Sequence, residues 1–470
     1  MSDLTTKIVR IAGAQGFYGD SPSGAIAIAK AKAADYLVFD ALAELTLSIL
    51  QKDKIRDPLL GYARDIELNA FTLFPIALRN GMKIVTNSGG MNPSGAAKKL
   101  AALLQKQGIT GIKIIAIEGD NLMDKLDEMQ GAGEQMQHLD TKIPIAEMSY
   151  PRTHANVYTG ARTIADALAQ GADIILAGRV ADPCLTLGVL VHEFGWNLDD
   201  GELTQTDLDR LAAGITVGHI LECGGQASGG NAYSEWQPDY DYWNLGYPIA
   251  HVAADGAAVI TKLDGSGGKV SYNTVREQLV YEIHNPGHYI TPDVTVDLTQ
   301  IKLEEIGENK VRVSNVKGKP RPELLKLCIG QIEGYTSDQI FYFSYPYAYA
   351  KAQRFAEEAQ KIWVSLPMLK IDRIVVNYLG INGIHDTATP KLAPEIIEQL
   401  PEIGLRLSIK HADERTGKMA LQAIICLGLN GPPGICTQPG WGKDGRMQLS
   451  LFPTLIARKW VTDVLITIEI

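Results

Sequence analysis

The residues best suited to chemistry lie in the stretch 222–231, which reads ECGGQASGGN. A glutamate can act as a general acid or base when burial raises its pKa, so Glu222 is a candidate base. Cys223 could be a nucleophile if its pKa is lowered, although an inert buried thiol is the commoner case. The glycines allow close backbone approach to a ligand. The residues of this stretch expected to contact substrate are Cys223, Gly224, Gly225, Gln226 and Asn231.

Two other glycine-rich segments follow apolar runs. Residues 13–20, GAQGFYGD, resemble a phosphate-binding turn, but the G-x-x-G-x-x-G spacing differs from the dinucleotide fingerprint, and a plain turn remains open. Residues 87–93, NSGGMNP, could cap a helix or present backbone amides to an oxyanion. The candidate binding residues from these segments are Gly16, Asn87, Ser88, Gly89, Gly90 and Asn92.

Charged residues near residue 180 add a third group of candidates. Arg179 could bind a carboxylate through two hydrogen bonds. Asp182 could act as an acid or base, pair with Arg179, or cap the next helix. His154 lies in a polar segment where an acid/base histidine would fit, although a surface histidine is about as common.

No metal site is predicted. His192-Glu193 lacks the second histidine of an H-E-x-x-H motif. The carboxylates Asp40, Glu44 and Glu118 could hold Mg²⁺, so a divalent cation is not excluded, but nothing in their spacing is specific for one.

The elements that must position these residues alternate between strands and helices over the first half of the chain. Apolar runs predict strands at 8–12, 36–39, 83–86, 112–117, 173–177 and 215–221. This alternation predicts an α/β fold with a mostly parallel sheet and helices on both faces. Ligands bind at the carboxyl ends of such strands, and we expect the candidate residues to line one cavity there.

The second half of the chain has shorter strand patterns and glycine-rich turns. Strands are predicted at 257–262, 294–298 and 310–314, a helix at 345–363, and further strands at 373–378, 406–410, 423–427 and 464–468. We predict an α/β domain over residues 1–365 and a small α+β domain over residues 370–470. The strand at 464–470 could pair across subunits, so we expect a homo-oligomer.

Composition excludes some functions. The 470 residues carry a net charge of −10, which argues against nucleic acid as a partner. No apolar run reaches the length of a membrane-spanning helix, and residues 1–10 do not resemble a signal peptide. Five scattered cysteines do not form a disulfide framework. We therefore expect a cytoplasmic protein without nucleic-acid or membrane partners.

Taken in order, the motifs resemble those of the acyclic terpene utilisation (AtuA-like) family, formerly a domain of unknown function. The matching segments are 11–20, 87–93, 178–188, 218–231 and 429–434, and the last resembles the family's small ferredoxin-like unit. The resemblance implies a role in catabolism of branched acyclic terpenoids and related acids, whose intermediates are acyl-CoA thioesters.

We therefore expect a lyase or hydratase that acts on a hydroxy acid or hydroxyacyl-CoA, with a small carboxylate or its CoA thioester as ligand. Glu222 would be the base, with His154 or Asp182 as the second acid/base group and Arg179 as the carboxylate anchor. Amides at Gly89-Gly90 and Gly224-Gly225 would stabilise an oxyanion. Two alternatives remain: a transferase or oxidoreductase that holds a nucleotide or CoA at residues 13–19, and a non-catalytic subunit of an enzyme complex.

Overall fold

The computed structural model describes residues 7–199, 201, 203–237, 240–389, 391–437 and 445–470. Its contacts divide the chain into two compact units, Met1–Gly330 with Leu451–Ile470, and Gln331–Ser450. These units differ from the division into residues 1–365 and 370–470, because the last twenty residues belong to the first unit. The division into an α/β domain over residues 1–365 and a small α+β domain over residues 370–470 stays a prediction.

The strands, in chain order, are β1 (Ile8–Gln15), β2 (Tyr36–Phe39), β3 (Lys83–Thr86), β4 (Lys113–Glu118), β5 (Arg152–Val157), β6 (Ile174–Ala177), β7 (Pro248–Ala253), β8 (Ala258–Lys262), β9 (Tyr289–Ile290), β10 (Thr295–Asp297), β11 (Lys302–Gly307), β12 (Lys310–Ser314), β13 (Lys317–Lys319), β14 (Leu324–Ser344), β15 (Ile371–Leu379), β16 (Glu402–His411), β17 (Ile435–Thr437), β18 (Arg446–Ala457) and β19 (Val464–Glu469). The α-helices are α1 (Ser23–Ala31), α2 (Glu44–Arg56), α3 (Asp65–Thr72), α4 (Phe74–Arg79), α5 (Pro93–Gln105), α6 (Leu126–Gly131), α7 (Arg162–Ala169), α8 (Cys184–Phe194), α9 (Gln205–Leu221), α10 (Tyr272–Val280), α11 (Ala348–Val364), α12 (Pro394–Glu398), α13 (Glu414–Ala423) and α14 (Leu427–Asn430).

A ten-stranded sheet organises the first unit, in the order β11-β12-β8-β7-β1-β2-β3-β6-β4-β19. Its centre, from β1 to β4, pairs in parallel. The strands from β11 to β7 on one flank, and β19 on the other, pair antiparallel. The expectation of an α/β fold is confirmed, but the sheet is mixed rather than mostly parallel.

Helices cover both faces of this sheet. Alternate strand residues enter two separate cores, since Leu37 packs into one and Val38 into the other. One core takes α7, α8, α9 and α10, and the second takes α1, α3, α4 and α5. The parallel strands are therefore buried on both sides, as their continuous apolar runs indicated.

The run at 215–221 is the end of helix α9, so its interpretation as a strand was wrong. From Leu211 onward the helix is buried on all sides, and the polar face that reveals a helical period is missing. The helix start does have a sequence signal, because Thr204 and Asp207 form a capping box. The predicted strand at 423–427 was also wrong, since α13 ends at Ala423 and α14 begins at Leu427.

The second unit is an antiparallel sheet in the order β15-β16-β14-β17, with β18 also paired to β14. Helices α11 and α13 pack on β16. The core includes Phe341, Phe355 and Trp363. This arrangement is α+β, but the ferredoxin-like topology is not confirmed.

The predicted strand at 464–468 lies in the large sheet as β19, paired with β4 within the same chain. Because β19 is the edge strand of this sheet, pairing of its other edge across subunits stays a prediction, as does the homo-oligomer. In the part of the chain that the structure describes, every helix is too short or too polar to cross a bilayer.

Candidate functional site

Polar side chains meet at the carboxyl ends of four adjacent parallel strands. Asp40 follows β2, Asn87 follows β3, Arg179 and Asp182 follow β6, and Asp120 follows β4. Neighbouring parallel strands end at one edge of a sheet, so these residues converge although they are far apart in sequence. We call Asp40, Arg179, Asp182 and Glu222 the carboxylate cluster.

Asn87 holds Asp40 in place. Its amide nitrogen donates to Asp40 Oδ1 at 2.5 Å, and its amide oxygen accepts from the Ala41 N–H at 2.7 Å. Burial raises the pKa of Asp40 well above its usual value, and the neighbouring carboxylates of Asp182 and Glu222 raise it further. Asn87 is fully buried, so it positions Asp40 rather than contacting a ligand.

Arg179 supplies the positive charge of the cluster. One guanidinium nitrogen donates to the Leu42 carbonyl at 2.5 Å, another donates to Asp182 Oδ1 at 2.7 Å, and the group stacks 4.2 Å from the Tyr158 ring centroid. The side chain is 1% exposed. In this geometry the guanidinium is engaged by the protein and orients Asp182, which leaves it little freedom to anchor a substrate carboxylate as expected.

Glu222 pairs with His219 one turn earlier in α9. His219 Nδ1 lies 2.7 Å from Glu222 Oε1, and both side chains are buried. Burial lowers the pKa of His219 to about 4, while burial and the charge of Asp182 raise the pKa of Glu222 well above its usual value. Both shifts favour the neutral form of each partner, and one hydrogen bond joins the two side chains.

Three buried polar atoms of this region have no hydrogen-bond partner among the described residues: Arg179 Nε, His219 Nε2 and Glu222 Oε2. Leaving a buried donor or acceptor unsatisfied costs about 1–3 kcal/mol. Unsatisfied atoms of this kind are retained where water or a ligand supplies the missing hydrogen bond. These atoms make the carboxylate cluster, with His219 beside it, the candidate functional site.

A tyrosine and a lysine extend the cluster on one side. The Tyr158 hydroxyl donates to Glu44, and Lys326 Nζ lies 2.8 Å from the same carboxylate. Burial alone would raise the pKa of Glu44, but Lys326 and Tyr158 outweigh it and lower the pKa to about 2. Lys326 Nζ is also 4.6 Å from the Tyr158 ring centroid. Glu44, Tyr158 and Lys326 therefore all contact one another.

An apolar cavity of about 630 Å³ opens beside the cluster. Its polar wall residues include Tyr158, Asp182, Tyr289 and Lys326. Its apolar wall is formed by Leu139, Ala181, Pro183, Ile290, Pro292, Pro322, Leu324, Leu325 and Leu455. The Asp182 side chain is 29% exposed, and burial is the largest cause of its raised pKa. A carboxyl group with a raised pKa thus lies on the wall of an apolar cavity.

Most of the glycine-rich residues line a different cavity, of about 480 Å³. The predicted residues found together there are Gly16, Cys223, Gly224, Gly225, Gln226 and Asn231. Glu222 belongs to the carboxylate cluster, whereas the next residue, Cys223, lines this second cavity. The turn after α9 therefore separates the carboxylate cluster from the second cavity. The expected single cavity is therefore two cavities.

The glycines of the second cavity are required by the packing of its loops. A Cβ added to Gly16 would lie 2.4 Å from the backbone nitrogen of Gly224, which itself has a φ of +55°. The Cys223 thiol is not activated, because burial and the neighbouring Glu222 raise its pKa.

The other predicted residues lie outside both cavities. Both ring nitrogens of buried His154 are occupied, by Ser48 at 2.8 Å and by Asn156 at 2.9 Å, and burial lowers its pKa to about 4. Asn156 donates to Asp120, which accepts the backbone N–H of Arg179. His154 therefore reaches the cluster only through Asn156 and Asp120, so it is a positioning residue.

The segment 87–93 is a structural turn. Ser88 is buried and accepts a hydrogen bond from the Thr86 hydroxyl. The Gly90 N–H donates to the Asn87 carbonyl, and a Cβ on Gly89 would lie 2.6 Å from the Ala177 carbonyl oxygen. The expected oxyanion role of the Gly89-Gly90 pair has no support in this geometry.

Asn92 is the N-cap of α5, where its side chain accepts from the Gly95 N–H at 3.1 Å. We expect Asn92→Ala to lower the free energy of unfolding by about 0.5–2 kcal/mol, the usual cost of a lost cap. Turnover and ligand affinity should not change. Urea unfolding of Asn92→Ala beside Asn92→Asp, which keeps the cap acceptor but loses the Nδ2 donor to the Leu60 carbonyl, checks this, and a selective loss of ligand affinity in both would contradict it.

The residues weighed as Mg²⁺ ligands do not converge. Glu118 accepts from the Ser94 N–H at 3.1 Å, and Glu44 pairs with Lys326. Over the described ranges, no three His, Cys, Asp or Glu side chains are grouped in a way that could hold a metal ion.

The fold and site define a mixed α/β protein in which a cluster of carboxylates with raised pKa values meets an apolar cavity. Comparison with protein families identifies it more closely: the model described as acyclic terpene utilisation family protein AtuA matches residues 9–466. The chain belongs to this family, as its motifs indicated, and membership implies a role in acyclic terpene utilisation. Searches of curated proteins and of solved structures found no match.

Proposed function

We propose that this protein is a lyase of the hydratase type, which removes or adds water at a branched acyclic hydroxy acid or its acyl-CoA thioester. The observation that carries the proposal is the position of Asp182, a carboxyl group with a raised pKa on the wall of an apolar cavity. The family's role in acyclic terpene utilisation supports a branched hydrocarbon chain as the occupant of that cavity.

The chemistry needs one acid and one base. In dehydration, a base removes the proton next to the carbonyl, the carbon–oxygen bond of the hydroxyl breaks, an acid protonates the leaving oxygen, and water departs as the double bond forms. The charge of Asp182 raises the pKa values of Asp40 and Glu222, and Glu222 also raises that of Asp40, so ionisation of one carboxyl group opposes ionisation of the next. Coupled carboxyl groups of this kind divide into a proton donor and a proton acceptor.

Asp182 is the acid in this proposal because it reaches the cavity, and Glu222 is the base, as expected from the sequence. Glu222 acts as base in its ionised form, in which the unpartnered Oε2 accepts the proton while Oε1 is held by His219. Lys326 supplies positive charge at the cavity wall, where a carboxylate or thioester carbonyl would develop negative charge.

The test is turnover of branched 3-hydroxyacyl-CoA thioesters, the corresponding free acids, and their unsaturated counterparts. We expect gain or loss of one water by mass spectrometry, and incorporation of solvent deuterium next to the carbonyl. Absence of both with every compound of the series, in folded protein, would exclude the hydratase and favour the non-catalytic subunit.

Chain-length preference gives a second check of the site. Leu139, Leu324 and Leu455 line both the apolar cavity and an adjoining cavity of about 370 Å³, so they form the junction between the two. Leu324 and Lys326 lie two residues apart on one face of β14, about 7 Å along the strand. An acyl chain longer than this distance must pass the junction.

We expect Leu455→Trp to narrow the junction and to lower kcat/KM about tenfold or more for long chains, with short chains little affected. The measurement is kcat/KM across a chain-length series. Leu59→Trp, at an exposed position outside both cavities, is the control. An equal loss for short and long chains would contradict passage through the junction.

A further inference from the structure

The second cavity has aromatic walls that the proposed hydratase does not use. Phe17, Tyr242, Trp243, Tyr247 and Tyr281 line it. Tyr247 is buried, whereas Trp243 is 87% exposed and Phe17 is 61% exposed. Large aromatic surfaces left exposed around a concavity are available to stack on a ligand. We call this space the aromatic cavity.

Its polar groups are neutral, with one exception. Gln226, Asn231, Ser21 and Ser23 line the wall between the aromatic rings and offer hydroxyl and amide groups. The glycine backbone of residues 224–225 adds peptide groups between them. Such a mixture of flat rings and uncharged hydrogen-bonding groups recognises a ligand that has a ring face and several hydroxyl or amide edges.

Among the described residues that line the aromatic cavity, Asp20 is the one charged side chain, and its carboxylate is already hydrogen-bonded within the protein. Its carboxylate accepts the N–H groups of Gly16 at 2.9 Å and Ser21 at 2.7 Å, and the Tyr247 hydroxyl at 2.8 Å. Within the described residues, no Lys, Arg or His lines this space. A phosphate placed here would meet a carboxylate and no cation, which argues against the nucleotide or CoA expected at residues 13–19.

We propose that the aromatic cavity is a second binding site, which takes a neutral ring ligand of the kind shared by nucleosides and sugars. The ring stacks on Trp243 and Phe17, and Gln226 and Asn231 bind its polar edges. A volume of about 480 Å³ is typical of small-molecule sites. The site does not include Asp182, so it stands independently of the hydratase.

The experiment is calorimetric titration of the full chain with adenosine, AMP and methyl glucoside. We expect saturable binding of a neutral probe, with AMP weaker than adenosine if the nucleoside is the source, and methyl glucoside the tighter probe if a sugar is. Trp243→Ala should weaken that binding about tenfold or more, because the stacking surface is lost.

Trp236→Ala is the matched control, since Trp236 is 62% exposed in the same segment and does not line the aromatic cavity. It should bind the probe as the unmodified protein does. Failure of both neutral probes to saturate would overturn the proposal. So would binding of AMP as tight as that of adenosine, or an equal loss in the two tryptophan variants. None of these readouts depends on turnover.

Discussion

Asp182→Asn is expected to abolish most of the hydratase activity, with a fall in kcat of about 10²- to 10⁴-fold. The amide cannot donate the proton that leaves with the hydroxyl, but its oxygen still accepts from Arg179. The fold should therefore persist, with an unchanged circular dichroism spectrum and a small change in Tm. The measurement is kcat on whichever branched thioester or acid turns over in the unmodified protein.

Glu323→Gln is the matched control, because Glu323 lines the same apolar cavity, is exposed, and undergoes the same chemical change. It should retain nearly full activity. Full turnover in Asp182→Asn would assign the proton donor elsewhere and contradict the proposed mechanism. An equal loss in both variants would point to general electrostatics of the cavity rather than to a specific acid.

Arg179→Met is expected to lower the free energy of unfolding by about 3–5 kcal/mol, because it removes the buried positive charge that faces several carboxylates. The Leu42 carbonyl would also lose its donor. Urea unfolding at pH 7 is the measurement. Arg162→Met is the control: Arg162 is 48% exposed in its ion pair with Asp199, so its loss should cost at most about 1 kcal/mol.

The cost of Arg179→Met should also depend on pH. In the native protein the pKa values of Asp40, Asp182 and Glu222 are already raised. The contribution of these carboxyl groups to the free energy of unfolding is therefore fully present below their pKa values in the unfolded chain. It is lost as the pH rises through their pKa values in the folded protein. Without Arg179 these folded pKa values rise further. The penalty should therefore grow from acidic to neutral pH, and a penalty that is constant with pH would contradict this reading of the cluster.

The sequence predicted the parts of the fold that depend on local pattern. The runs at 36–39, 83–86 and 173–177 are strands because buried parallel strands are continuously apolar, and their polar ends therefore met at one edge. The run at 215–221 has the same composition but belongs to a helix buried on all sides, so its pattern could not distinguish the two. The antiparallel flanks contain two local hairpins, β7–β8 and β11–β12, but their attachment to the parallel centre depends on pairings between distant segments, which no local pattern encodes.

The candidate site was predictable only where polar residues follow a strand. Asn87, Arg179 and Asp182 came together as expected, and Glu222 joined them from the end of a helix. His219 was missed because its spacing of three residues from Glu222 has meaning only in a helix. The apolar cavity could not be foreseen, since its walls come from residues as distant as Leu139 and Leu455, which have no chemical signature.

The pairing of β19 with β4 has a consequence for synthesis of the chain. Strand β4 has β6 on one side, but its other neighbour begins at Val464, more than three hundred residues later. While the ribosome translates the intervening chain, the apolar edge Lys113–Glu118 has no native partner, and unpaired edges of this kind recruit other strands. This edge of β4 is therefore open to pairing with other chains until β19 emerges.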